Sequence, residues 1–434
     1  MTKRKEFLGG AAVKCAGAFL VLAGLFTLPC PAAIELLAPI EGAEVALVPE
    51  AQKKVMAPLT LAERLKLFAE DRAHGKVIRH DKYWRKAKPV ILKWRPTAGE
   101  KGPWKVEVGT SPDLSDARVW YIRVNKIDKV SGRDTGKAEK GQEQKEVSYV
   151  VPRANLEIAS RYYWRVSARR RCAKFNCGPR CGCKESQHSV RSGIAAFRTE
   201  DVAPRWIEIE GDVRNIRDLG GWHTADGRRV RQGKVFRGRA LNENSVTGDA
   251  PGRNCLTVED LHYLTRTIGI RTDLDLRSKG EVADMKESPL GPGVTFINRS
   301  SQCYVAIFSE KGKKVMAENF RVFCNPENYP IYVHCIGGAD RTGSLVYVML
   351  GVLGLSRHDL ETEWESTFYP NLPDANPDPK FWCRESHFND GFGKYGKEGD
   401  SWNRRIELYL LDCGGTADEI AAFRSIMLEP RQAR

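Results

Sequence analysis

The ten residues HCIGGADRTG, from His334 to Gly343, constrain the fold of this chain more than any other stretch. The apolar, β-branched run YPIYVHC that leads into them predicts a strand at a central, buried position of a sheet. The run TGSLVYVMLGVLGL that follows is apolar around much of its surface and predicts a buried helix. A strand that passes through a glycine-bearing turn directly into a helix indicates an α/β domain with an anion site at the turn.

Cys335 is the candidate nucleophile at this turn. Successive backbone N–H groups converge there, and the helix N-terminus adds positive potential that stabilises a thiolate. After five intervening residues, Arg341 can hold two phosphate oxygens in its planar fork. Two glycines let the backbone approach the anion, and a threonine hydroxyl can bond to the thiolate. The predicted phosphate-binding residues are Ile336, Gly337, Gly338, Ala339, Arg341 and Thr342.

The Cys-x5-Arg spacing, flanked by histidine and Thr-Gly, resembles the loop of the protein tyrosine phosphatase superfamily. Two further strings resemble the bacterial tyrosine/serine phosphatase family: NIRDLGGWHTADGRRVRQGKVFRGRAL, from Asn215 to Leu241, and GIRTDLDLRSKGE, from Gly269 to Glu281. The resemblance covers residues 206–434. It implies a phosphatase domain with a central, mostly parallel sheet flanked by helices. It also implies a phosphocysteine intermediate, formed without cofactor or metal.

The resemblance implies an acid that protonates the leaving oxygen. Asp340, inside the loop, is the candidate, and Asp275, in LDLRS, is the alternative. Each carboxylate also has a structural interpretation. Asp340 can cap the loop or helix, and Asp275 can pair with Arg271 or Arg277.

Other polar residues are expected to support the loop. His334 is predicted to order it by bonding to its backbone, and Arg217 and Asp218 to hold the N-terminal segment of the domain against it. Arg237 and Arg277 either face the pocket or form solvated ion pairs.

The loop departs from the family pattern at Ala339, where family members often have lysine. Without that second cation, the pocket favours a single phosphate ester, such as a phosphotyrosine-containing protein or peptide, over a phosphoinositide. Gly238 stands where the family has serine, a departure that the sequence does not explain. A phosphoinositide or other small phosphoester phosphatase is the alternative enzyme. A polyanion-binding or adhesive protein with a vestigial loop is the non-enzymatic alternative, and the intact Cys335, Arg341 and Thr342 argue against it.

Residues 34–202 predict an all-β sandwich. VILKWRP, WKVEVG and YYWRVSARR alternate as strands do, and the set resembles a fibronectin type III domain. Trp94 resembles its core tryptophan and Tyr162 its tyrosine corner. A helical insertion is predicted at about residues 55–75. A Cys-rich loop at 172–183 holds four cysteines, for which disulfide bonds or zinc binding are both open.

The first residues predict export. Basic Lys3, Arg4 and Lys5 precede an apolar run from Cys15 to Leu28, and small residues follow, which is typical of a signal peptide over residues 1–33. The mature protein would then be periplasmic or secreted in a bacterium and would lack a transmembrane span. A retained anchor is the alternative.

Charge is divided unevenly along the chain. Residues 34–200 hold 34 Lys and Arg against 20 Asp and Glu, whereas residues 201–434 hold 31 against 34. The basic excess of the first half favours an acidic glycan or another polyanion as partner, with a merely solvated surface as the alternative. No nucleic-acid partner is predicted.

Two helix starts and one long loop complete the interpretation of the second half. Thr257-x-x-Asp260 and Thr416-x-x-Glu419 are patterns of capping boxes. Residues 369–404, rich in Pro, Gly, Asn and aromatic residues, predict a long loop. Its aromatic residues Phe381, Trp382, Phe388 and Tyr395 either wall a phosphotyrosine pocket or hold the loop down.

Overall fold

The computed structural model describes part of the chain, namely residues 34–58, 63, 66, 87–96, 103–122, 146–169, 189–211, 213–241, 256–282, 285–367 and 385–431. The predicted signal peptide, most of the helical insertion, the whole Cys-rich loop, and Phe381 and Trp382 of the predicted long loop lie outside these residues. So do most of the basic residues of the first half, which fall in 59–86 (Lys66 apart), 123–145 and 170–188.

The first half of the chain contains two β-sheets. Its elements are β1 (Ile34–Ala38), β2 (Ala43–Val45), α1 (Glu50–Met56), β3 (Val90–Pro96), β4 (Trp104–Gly109), β5 (Arg118–Ile122), β6 (Val147–Val151), β7 (Arg161–Arg169), β8 (Ser189–Arg191) and β9 (Ala195–Thr199). One sheet has the order β1-β3-β6, and the other has the order β2-β9-β7-β4-β5 with β8 paired to β7. Strand β6, directly after a long polar stretch, was not predicted from the sequence.

Tryptophans fill the core between these sheets. Along β3 the burial alternates with the two-residue period of a strand, so Trp94 points inward. Its ring meets that of Trp104 edge-on, with centroids 5.6 Å apart. The hydroxyl of Tyr162 accepts a hydrogen bond from the backbone N–H of Glu157 at 2.8 Å. The predicted inward tryptophan is therefore fully buried, and Tyr162 is tied to the chain five residues upstream.

The second half is built on a six-stranded sheet with the order β10-β11-β12-β15-β13-β14. The strands are β10 (Arg205–Trp206), β11 (Arg217–Asp218), β12 (Val235–Gly238), β13 (Thr272–Asp275), β14 (Thr295–Asn298) and β15 (Ile331–His334). Strand β15 pairs in parallel with β12 and β13, and β13 pairs in parallel with β14. The pairings of β11 with β10 and β12 are antiparallel. The predicted central position of YPIYVHC is confirmed.

Helices accompany this sheet. They are α2 (Val258–His262, continued by a π-helical turn over Tyr263–Ile268), α3 (Lys279–Val282), α4 (Glu310–Val322), α5 (Asp340–Leu353), α6 (Arg357–Ser366), α7 (Glu385–Phe392), α8 (Trp402–Asp412) and α9 (Ala417–Met427). The capping boxes at Thr257 and Thr416 are both present. Helix α5 is buried from Thr342 to Leu353, as its apolar sequence predicts. No helix in the described part of the chain is long and apolar enough to cross a membrane.

The prediction of a loop over 369–404 is wrong for residues 385–392, which form α7, and for residues 402–404, which begin α8. Phe388 and Phe392 are four positions apart and so share one face of this helix, and that face packs on α5. Phe388 is 1% exposed, and its ring stacks on that of Tyr347 at a centroid distance of 4.6 Å. The Tyr395 ring lies against Tyr409, and its hydroxyl donates to Asp412 at 2.7 Å. These described aromatic residues fill the core rather than wall a pocket.

The structure explains the glycine at position 238, the last residue of β12. A Cβ at Gly238 would come within 2.0 Å of the Tyr332 hydroxyl on the neighbouring strand β15. That hydroxyl donates to the carbonyl of Arg239 at 2.9 Å, so it is held in place. A serine would therefore clash with a fixed side chain.

Candidate active site

Cys335 directly follows β15, at the carboxyl end of the central parallel strand. It is a free thiol and is 3% exposed. Helix α5 begins five residues later at Asp340, so the loop between them joins a strand end to a helix N-terminus. Ligands of open α/β sheets bind at this edge, and the helix N-terminus favours an anion there.

The loop offers unpaired donors to such an anion. Within the described residues, the backbone N–H groups from Ile336 to Arg341 have no hydrogen-bond partner. The N-cap of α5 is Ala339, whose side chain cannot accept from the first turn of the helix. These N–H groups can therefore converge on an oxyanion.

The two loop glycines have different roles. Gly338 has a φ of +62°, which disfavours other residues. A Cβ at Gly338 would also come within 2.1 Å of the carbonyl oxygen of Gly238. The nearest contact of a Cβ at Gly337 would be Ala339 at 3.7 Å. Gly338 thus lets the loop pack onto the end of β12, whereas the sequence interpretation had assigned both glycines to the approach of the anion.

The guanidinium of Arg341 is held in place by the carboxylate of Glu281. Its NH1 and NH2 donate to the two carboxylate oxygens of Glu281 in α3, at 2.6 and 2.9 Å. This arginine holds the pKa of Glu281 down at about 2, so the glutamate stays ionised at neutral pH. A guanidinium has five N–H donors, and three remain for phosphate oxygens. Glu281 ends the segment GIRTDLDLRSKGE, but the sequence assigned it no role.

Thr342 lies in the first turn of α5 and is fully buried. Among the described residues, its hydroxyl has no hydrogen-bond partner. A buried hydroxyl without a partner is costly unless a ligand or reacting group uses it. This placement suits the predicted bond to the thiolate.

Buried side chains donate hydrogen bonds to the loop carbonyls on the side of the loop that faces away from the anion site. The Asn215 amide donates to the carbonyls of Gly337 and Gly338, at 3.2 and 3.3 Å. Arg237 donates to the carbonyl of Gly338 and, at 2.7 Å, to Glu363 in α6. Arg237 is fully buried and faces this network, so the expectation that it faces the pocket or solvent is wrong.

Arg217 supports the loop through Asn215, to whose side-chain oxygen it donates. It also donates to Glu363 at 2.7 Å. Asp218 does not reach the loop. Its carboxylate accepts from Arg205 at 3.0 Å and from the backbone of Gly220 and Gly233. The prediction of a shared role is corrected: neighbouring side chains of a strand point to opposite faces, and only Arg217 faces the loop.

His334 bridges the strand end and the loop. Its Nε2 lies 2.9 Å from Asp273, and its Nδ1 lies 3.2 Å from the carbonyl oxygen of Cys335. Burial lowers the pKa of His334, but Asp275 and Asp273 outweigh burial and raise the pKa above its usual value. When both ring nitrogens are protonated, the imidazolium can donate to the carboxylate and to the loop backbone.

The two candidate acids have different surroundings. Asp275 is fully buried and accepts three side-chain hydrogen bonds from Arg277, the shortest at 2.7 Å. Burial raises the pKa of Asp275, but His334 and Arg277 outweigh burial and lower the pKa, so it stays ionised. Asp340 is partly exposed at the start of α5 and accepts a hydrogen bond from the Tyr304 hydroxyl. The geometry favours Asp340 as the acid. Arg277, tied to Asp275, does not serve the pocket.

One comparison with known proteins, the match to a family model, agrees with this geometry. Residues 207–373 match the model of the tyrosine phosphatase family, a span that contains the loop and both other family-like segments. Among solved structures, the core catalytic domain of the PP-IP phosphatase SIW14 from S. cerevisiae, in complex with citrate, is 18% identical. The alignment covers 36% of this chain and 82% of that chain, with a TM-score of 0.24. A search of the curated proteins found no match. The family match supports a phosphatase that hydrolyses phosphoesters.

We predict that Glu281→Gln weakens the binding of inorganic phosphate by about tenfold. A free arginine side chain carries about 2 kcal/mol of rotamer entropy, and the carboxylate removes much of it before phosphate arrives. Titration calorimetry with phosphate measures the change, and Glu287→Gln, at an exposed position six residues further along the chain, is the matched control. Unchanged or tighter binding would show that Glu281 competes with phosphate for Arg341.

Proposed function

We propose that this protein is a phosphomonoester hydrolase of the protein tyrosine phosphatase type. The observation that carries the proposal is the loop after β15, which brings a free thiol, unpaired N–H groups and the held arginine fork to one helix N-terminus. Cys335 is the nucleophile, Arg341 the phosphate clamp and Asp340 the acid.

The reaction then takes two steps. The Cys335 thiolate attacks phosphorus, the ester P–O bond breaks, and Asp340 gives its proton to the leaving oxygen. Water next attacks the phosphocysteine, and the Asp340 carboxylate takes a proton from it. The P–S bond breaks, the buried Thr342 hydroxyl stabilises the departing thiolate, and orthophosphate is released.

We propose phosphotyrosine as the preferred substrate, with a protein or peptide as its carrier. Among the described residues, Arg341 supplies the fixed cation for the anion, since Arg237 is turned to Glu363 and the carbonyl of Gly338, and Arg277 to Asp275. One fixed cation suits a single phosphate dianion and leaves the further phosphates of a phosphoinositide without a partner. Tyrosine, with a pKa of about 10, is also an easier leaving group than an alcohol.

For the rest of the chain we propose an exported bacterial protein with a fibronectin type III-like first half. The buried Trp94 and the hydrogen-bonded hydroxyl of Tyr162 support the domain type.

The basic excess of residues 34–200 supports a polyanion partner, which retention on a heparin resin would test. In the described part of this half, Arg95 and Arg165 already form ion pairs with glutamates, so the charge for a polyanion would come from other basic residues.

Cys335→Ser is expected to lower turnover of p-nitrophenyl phosphate by about 10⁴-fold or more, because a serine hydroxyl is a much weaker nucleophile. Phosphate binding should persist, because the N–H groups remain. Steady-state kinetics and calorimetry give both quantities. The control is Cys413→Ser, which changes a buried cysteine at the C-cap of α8. Turnover near the wild-type rate would exclude Cys335 as nucleophile, and sulfur transfer from thiosulfate would indicate a sulfurtransferase instead.

Ala339→Lys is expected to raise kcat/KM for a phosphoinositide, relative to a phosphotyrosine peptide, by about fivefold. This corresponds to roughly 1 kcal/mol, as for a partly screened charge contact at the rim of the pocket. Ala339→Met, of similar length without charge, is the control. A wild type that already prefers phosphoinositides, or an unchanged ratio in the lysine variant, would contradict the assigned specificity.

Export predicts that the mature chain lacks its first residues. Expression in a bacterial host, fractionation and N-terminal sequencing should find a protein outside the cytoplasm that begins close to Ile34. A membrane-bound protein that retains Lys3 to Lys5 would instead support the anchor.

A further inference from the structure

Tyr304 has an unusual backbone conformation close to the candidate acid. It opens a short 3-10 turn over Tyr304–Phe308, and its φ is +54°. A bulky side chain with positive φ is an outlier that persists only where the surroundings determine it, often at functional sites.

Contacts with described residues of α5 and α6 hold this tyrosine over the start of α5. Its backbone N–H donates to the Ser344 hydroxyl at 3.1 Å. Its ring lies 5.9 Å from that of Trp364 in α6, measured between centroids. Its hydroxyl donates to Oδ1 of Asp340. The strained backbone therefore delivers a hydroxyl to one oxygen of one carboxylate.

Asp340 depends on this contact for its orientation. Within the described residues, the Tyr304 hydroxyl is its hydrogen-bond partner, and α5 has no side-chain cap bond that would direct the carboxylate otherwise. An Asp side chain at the first position of a helix is otherwise free to turn towards the N–H groups of the first turn. Those are the groups that the anion needs.

We propose that Tyr304 is the positioning residue for the acid of the reaction, an inference that rests on the proposed function. By donating to Oδ1, it fixes the carboxyl group and keeps it off the helix N-terminus. The proton is then carried on Oδ2 and passes from there to the leaving oxygen. In the second step the same orientation lets Oδ2 take the proton of the attacking water.

The test is Tyr304→Phe, which keeps the ring on Trp364 and removes the hydroxyl. Proton donation matters most for poor leaving groups, since a good one departs without help. We expect kcat for phenyl phosphate to fall by about tenfold, and kcat for p-nitrophenyl phosphate by less than about twofold. KM should stay the same, because Arg341 and the loop bind the phosphate.

Two further variants separate positioning from a structural effect. Tyr395→Phe removes another tyrosine–aspartate hydrogen bond, the one to Asp412, and should leave both rates unchanged. Asp340→Asn should show the same dependence on leaving group, and adding Tyr304→Phe to it should cause little further loss, because both act through one carboxyl group.

An equal loss on both substrates, or additive losses in the double variant, would overturn the role of Tyr304 and leave the phosphatase intact. A wild type that hydrolyses neither aryl phosphate would overturn the proposed function itself, and this inference with it.

Discussion

The candidate site depends on hydrogen bonds that hold the loop carbonyls from behind. Asn215 and Arg237 both donate to the carbonyl of Gly338, and Arg237 shares the carboxylate of Glu363 with Arg217. Since the N–H and C=O of a trans peptide point in opposite directions, carbonyls held from behind leave N–H groups turned towards the pocket. Both arginines are fully buried, and breaking such a buried pair typically costs about 3–5 kcal/mol. The network therefore shapes the anion site and stabilises the domain.

The same short strand joins this network to the first half of the chain. Arg217 and Asp218 are the two residues of β11, and their side chains leave it on opposite faces. Asp218 pairs with Arg205, whose NH2 donates to the backbone carbonyl of Asn155 at 2.9 Å. A second contact links the side chain of Gln232 to the backbone of Ile158 by two hydrogen bonds, each 2.9 Å. The first half is thus anchored next to the strand that supports the loop.

The residues that sequence reasoning found and those that it missed differ in how far their partners lie along the chain. Cys335 and Arg341 lie within one short loop, so their spacing alone indicated the chemistry. Glu281, Glu363 and Tyr304 act on that loop from α3, α6 and a 3-10 turn, and no local pattern marks a partner so distant in sequence. Of these three residues, Glu281 alone was marked by the sequence, because it is the last residue of GIRTDLDLRSKGE, a segment that resembles the phosphatase family.

By itself, the sequence determined the central strand, the buried helix α5, both capping boxes and the tryptophan core, because each follows from hydrophobic period or cap chemistry within one segment. It also determined the nucleophile and the phosphate clamp as candidates. Only the tertiary structure gave Asp340 and Asp275 their different surroundings, turned Arg237 inward and folded residues 385–392 into a core helix. The reason is that burial and charge pairing depend on what other segments bring to a residue, and a single stretch of sequence carries no record of its neighbours in space.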